Sequence, residues 1–173
     1  MNIINQKLMQ HRKGFTLIEL LIVVVIIVVL AAGAFVALDP ATRFADSRDA
    51  TRWTDVTAVL DAAKVDQVDN GGVYLDGTGI TLLNDGSSYM IGTDGPSASE
   101  TCTGGAVVAN ATTNLTGLVT GGYLASVPIA PTAAGGSTWD AGETGYYLTK
   151  AGTGTLTVGA CDAESTTSIS VSR

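Results

Sequence analysis

Apolar side chains are massed at one end of this chain. Between Phe15 and Leu38 the apolar run is interrupted only by Thr16 and Glu19. From Leu20 to Leu38, 19 residues carry no charged or strongly polar side chain. At about 1.5 Å per residue such a helix is roughly 28 Å long, close to a bilayer's hydrocarbon core. Val, Ile and Leu cover its whole circumference, so only lipid or a protein interior can solvate it.

The pattern changes at Asp39-Pro40, which predicts a kink because proline lacks an amide donor and disfavours helix at the residue before it. Helical periodicity returns between Ala41 and Asn70. There Trp53, Val56, Leu60 and Ala63 form one apolar stripe at three- and four-residue steps. Arg52 with Asp55, and Asp61 with Lys64, are opposite charges at i,i+3 on the other faces. Asn70-Gly71-Gly72 stops the helix. After Gly72 the texture is that of a small β domain, with turn signals at Asp76-Gly77, Asp85-Gly86 and Asp94-Gly95. Candidate strands are Ser88 to Ile91, Gly145 to Thr149, Thr155 to Ala160 and Ser168 to Val171; Thr113 to Thr120 reads as a short helix. The expected layout is a leader at 1–14, an apolar helix at 15–38, its amphipathic continuation at 39–72 and a globular domain at 73–173.

Charge orients this layout. Lys7, Arg12 and Lys13 precede the apolar run and no acid occurs in the first fourteen residues, so that end stays cytoplasmic and the rest lies across the membrane. The formal net charge is −7 and becomes more negative once the three leader cations are removed. Such a surface argues against bulk electrostatic binding of nucleic acid. A hydrophobic content of 46% and a mean hydropathy of +0.32 are raised by the N-terminal run, and the length allows one domain beyond it.

The junction Arg12-Lys13-Gly14-Phe15-Thr16-Leu17-Ile18-Glu19-Leu20 resembles the class III leader and N-terminal helix of type IV pilins and of the pseudopilins of type II secretion. The resemblance implies cleavage by a prepilin peptidase after Gly14 and N-methylation of the new terminus at Phe15. An ordinary secretory signal is the alternative, with small residues for cleavage at Ala31-Ala32-Gly33-Ala34, but its apolar core is shorter and its cut follows that core. Glu19 inside the start of the span costs roughly 2.5–3.5 kcal/mol if it stays charged at the membrane centre. Either it reaches the headgroups, or it awaits a cation. The resemblance supplies one: the Phe15 amine of a neighbouring subunit. Many type IV pilins have a proline in mid-helix, whereas this chain has only Gly33 in that region.

Further on, Gly122-Tyr123-Leu124-Ala125-Ser126-Val127-Pro128-Ile129-Ala130-Pro131 resembles the Gly-Tyr-Leu…Pro…Pro segment of pseudopilins and related pilins, and Gly145-Tyr146-Tyr147 fits that family's strand. The implied fold is α+β and pilin-like. A long N-terminal helix has a protruding apolar half and an amphipathic half packed on a small antiparallel sheet, with one C-terminal disulfide.

Cys102 and Cys161 both lie beyond the membrane and most simply form that one disulfide; a redox or metal role is the alternative. No CxxC is present and the single histidine, His11, sits in the leader. No catalytic set emerges and no cofactor is expected. Asp140 and Glu143 flank a turn and are weak Ca²⁺ candidates by analogy with major pseudopilins, or simply solvated loop acids. Asn110-Ala111-Thr112 and Asn114-Leu115-Thr116 match the glycosylation sequon.

The expected function is that of a non-enzymatic subunit of an extracellular type IV pilus. It would pass through the inner membrane as a precursor, join an assembly platform there and polymerise with its own copies. The alternatives are a major pseudopilin of a periplasmic type II secretion pseudopilus and a membrane-anchored adhesin or minor DNA-uptake pilin.

Overall fold

The computed structural model describes residues 14–74, 79–93, 102, 107–132 and 138–173. The leader residues Lys7, His11, Arg12 and Lys13, and the turns expected at Asp76-Gly77 and Asp94-Gly95, lie outside them. The chain divides into two units, residues 1–40 and 41–173.

The first unit holds helix α1, Leu17–Leu38, in which no residue is buried. It is long and apolar enough to cross a membrane. The break expected at Asp39-Pro40 is present. Asp39 caps α1 in the left-handed region (φ 37°, ψ 73°), the one non-glycine residue with positive φ among those described. Aspartate tolerates this conformation, and Pro40 then opens the next helix where a missing N–H costs nothing.

Helix α2, Pro40–Asp69, belongs to the second unit from Ala41 onward. It ends as its sequence predicts, with Gly71 at φ 70° and Gly72 at φ 98° and with Gly72 N–H donating to the Gln67 carbonyl at 2.8 Å. Its buried face includes Asp49, Arg52, Val56, Val59, Ala63 and Asp66 at alternating three- and four-residue steps. That corrects the expected stripe at one end: Val56, Leu60 and Ala63 are buried, but Trp53 is 39% exposed. A step of three from Val56 reaches Trp53, while a step of four reaches Arg52, and the domain covers the latter side.

Five strands form one sheet in the order β2-β1-β3-β4-β5: β1 Ser88–Ile91, β2 Val107–Thr113, β3 Tyr146–Lys150, β4 Leu156–Ala160 and β5 Ile169–Ser172. The sheet is mixed rather than wholly antiparallel. β1 pairs β2 in parallel, and the other three pairings are antiparallel. Residues 92–106 connect β1 to β2, enough chain for the crossover that a parallel pair requires. β3 and β4 form a hairpin in register Tyr147↔Gly159 and Leu148↔Val158. The Tyr147 ring lies across Gly159, where an added Cβ would come within 2.4 Å of it.

Tyr146 and Leu148 point to one face of the sheet, and the Tyr146 hydroxyl donates to Asp55 Oδ2 on α2 at 2.6 Å. That face and α2 enclose a core that includes Val56, Leu60, Leu148, Leu156, Val158 and Ile169. A short helix α3, Thr116–Thr120, follows β2 and buries Leu118. Cys102 and Cys161 are joined by a disulfide that spans 59 positions of sequence.

Candidate functional site

Gly14 stands in open space: a Cβ built there would meet nothing within 4 Å. Phe15 is 85% exposed. Thr16 then caps α1 from extended backbone (φ −83°, ψ 150°), its Oγ1 accepting the Glu19 N–H at 3.3 Å. The Leu20 N–H donates to the Thr16 carbonyl at 3.2 Å. Thr-x-x-Glu before an apolar run is the spacing of a capping box, a signal that sequence reasoning passed over in treating Thr16 only as an interruption. The cap places Glu19 in the first turn, where the amide dipoles favour a carboxylate. Phe15 therefore lies just outside the helix and Glu19 just inside it. A cut after Gly14 would create a new α-amine at Phe15, one residue before the cap.

The second unit has a polar centre that the sequence did not reveal. Arg52 is fully buried. Its Nη1 donates to Asp49 Oδ1 at 2.7 Å and to Glu164 Oε1 at 2.9 Å, and its Nη2 donates to the Pro131 carbonyl at 2.8 Å. Arg48 Nε donates to Glu164 Oε1 at 2.7 Å, and its guanidinium also pairs with Glu164 Oε2. The hydrogen bond and charge of Glu164 raise the Arg48 pKa. The Asp49 carboxylate accepts the backbone N–H groups of Glu164 and Ser165, the latter at 2.7 Å. One arginine thus ties three segments: α2, the Gly122–Pro131 stretch and the loop before β5. The i,i+3 pairs expected within α2 give way to longer reaches. Asp55 accepts from Tyr146, Asp61 pairs with Arg173, and Lys64 Nζ donates to the Gly154 carbonyl at 3.0 Å.

The resembling segment from Gly122 packs Tyr123, Leu124 and Val127 against the core. The Tyr123 and Leu124 N–H groups share the Leu118 carbonyl, and Ala130 N–H donates to the Thr144 carbonyl. Gly145 adopts φ 76° with its Cα against the Trp139 ring, so both space and backbone call for glycine. Asp140 Oδ1 accepts the N–H groups of Gly142 (2.8 Å) and Glu143 (3.1 Å), which folds the expected turn. Among the described residues no three His, Cys, Asp or Glu side chains cluster as a metal site would.

Residues 9–35 match the model of the prokaryotic N-terminal methylation motif. Comparison with curated proteins and with solved structures finds no match. The matched residues contain Gly14, Phe15, the Thr16 cap, Glu19 and most of α1. The motif points to a structural protein, processed by prepilin peptidase and assembled into pili, and its apolar helix fits a membrane-anchored precursor. This chain therefore carries the prepilin-type leader and helix of type IV pilins and pseudopilins.

Proposed function

We propose that this chain is the major subunit of a surface type IV pilus, cut after Gly14, methylated at Phe15 and polymerised through its N-terminal helix. The observation that carries this reading is α1. It has 22 residues, none of them buried, with a capped carboxylate at the end that cleavage would expose. Lipid satisfies such a helix before assembly, and a bundle of like helices satisfies it afterwards. A simple anchor needs the apolar length but has no use for Glu19.

The Cys102–Cys161 bond favours a pilus, because many type IV pilins carry a comparable C-terminal disulfide and major pseudopilins typically do not. A second reading, a pseudopilus subunit, is favoured by the Gly122–Pro131 segment docked on the core. Shearing intact cells and measuring the intact mass of the released fibres separates the two. A pilus subunit should appear outside the cells as the main component, lacking residues 1–14 and carrying one methyl group. Mature chain confined to the periplasmic and membrane fractions would favour the pseudopilus. A mature chain that begins after Ala34 would support the secretory signal.

A further inference from the structure

We propose that Asn114 is an N-glycosylation site, its side-chain amide receiving a saccharide from a lipid-pyrophosphate-linked donor. The proposal rests on the reading that residues beyond Leu38 leave the cytoplasm. Asn114-Leu115-Thr116 connects β2 to α3. Leu115 is 1% exposed and anchors the segment in the core, while Asn114 and Thr116 on either side of it are exposed. Gly79 packs closely beneath the Asn114 backbone: a Cβ built there would come within 2.7 Å of the Asn114 carbonyl oxygen.

Asn114 Oδ1 accepts the Thr116 N–H at 2.8 Å, which closes an Asx turn. The turn folds the hydroxyl-bearing residue back toward the amide it must accompany. A donor on Oδ1 also stabilises negative charge there, which makes the Nδ2 protons more acidic and so eases removal of the one that transfer must displace. In the transfer, a bond forms between Nδ2 and the anomeric carbon while the bond from that carbon to the pyrophosphate oxygen breaks. The lipid pyrophosphate leaves with the electron pair, and the amide proton passes to a base of the transferase. A glycan on such an exposed turn extends into solvent without disturbing the core. The other sequon, Asn110-Ala111-Thr112, lies inside β2, with Thr112 paired to Met90 of β1.

The test is peptide mass spectrometry on the mature chain purified from its own cells, with Asn114→Asp and Thr116→Ala alongside. Both variants keep the turn: the first retains an oxygen to accept the N–H, and the second retains that N–H. The peptide containing Asn114 should carry a glycan mass in the unaltered chain and lose it completely in both variants. A bare Asn114 in the unaltered chain, or a glycan that persists in Asn114→Asp, would overturn the proposal. The same digest shows the N-terminus. A methylated Phe15 with a bare Asn114 removes the glycan proposal alone. An uncut leader tells against the filament reading, whereas glycosylation requires only translocation.

Discussion

Arg52 on α2 and Glu164 in the loop before β5 are 112 positions apart in sequence and 2.9 Å apart in the fold. Their contact belongs to a buried cluster in which one guanidinium faces two carboxylates and a backbone carbonyl. A buried cluster of this kind contributes little over apolar packing when intact. Removing one member leaves uncompensated charge and typically costs about 3–5 kcal/mol. Arg52→Met should therefore lower the melting temperature of the second unit by on the order of 10–15 °C. Arg48→Met, at the more exposed edge, should cost less. Thermal unfolding followed by circular dichroism checks both, and a shift below about 3 °C for Arg52→Met would show that the cluster is not a keystone.

Tyr146 gives the second unit a defined alkaline limit. Burial raises its pKa, and the hydrogen bond to Asp55 raises it further. An acid held protonated by the fold contributes stability that is fully present below its unfolded pKa of about 10. That contribution is lost as pH rises beyond 10 toward the folded value, at up to about 1.4 kcal/mol per pH unit. Tyr146→Phe should cost about 1.5–3 kcal/mol at neutral pH, since the lost bond has a charged acceptor. It should also flatten the decline in stability above pH 10. Tyr74 and Tyr147 are raised by burial as well, so part of the decline should remain. Denaturant midpoints at pH 7 and 11 for both proteins measure the effect, and equal alkaline losses would remove Tyr146 from the account.

The disulfide closes a loop across 59 positions of sequence. In the chain-entropy model such a loop stabilises by about 4 kcal/mol. Replacing Cys102 and Cys161 together with serine should lower the denaturant midpoint accordingly while leaving cleavage after Gly14 intact, because the peptidase acts at the far end of the chain. An unchanged midpoint, or failed cleavage, would contradict that separation.

What could be read from the sequence follows the range of the forces involved. The α2 boundaries, β1, β3, β4 and β5 were legible because local signals set them: glycines at positive φ, alternating side chains and short turns. The short helix was legible only in part, since α3 begins at Thr116 and not at Thr113, which is the last residue of β2. β2 was not legible. Its Val107–Thr113 run contains two alanines and an asparagine, weak strand formers, and its partner β1 is reached by a parallel crossover. Arg52 looked like a solvated helix residue because Asp55, three residues further along the same helix, offers it an opposite charge. The fold instead gives Asp55 to Tyr146 and Arg52 to Glu164. At the N-terminus the opposite holds. The motif, the apolar length and Glu19 are all contiguous, so this end is legible in the sequence alone.

On the proposed function, α1 assembles copies of this chain and does not merely anchor one. Glu19→Ala tests it most directly. Pairing with the Phe15 amine of a neighbour would contribute about 1.5–3 kcal/mol as a charge-assisted bond, repeated at every subunit added. Membrane insertion and cleavage after Gly14 need no such pair, so mature Glu19→Ala subunit should accumulate normally in the membrane. The measurement is sheared-fibre yield by electron microscopy, normalised to mature subunit in the membrane fraction. Fibres should vanish or become rare while the subunit pool stays full. Fibres in normal number from Glu19→Ala cells would contradict it and leave α1 as an anchor.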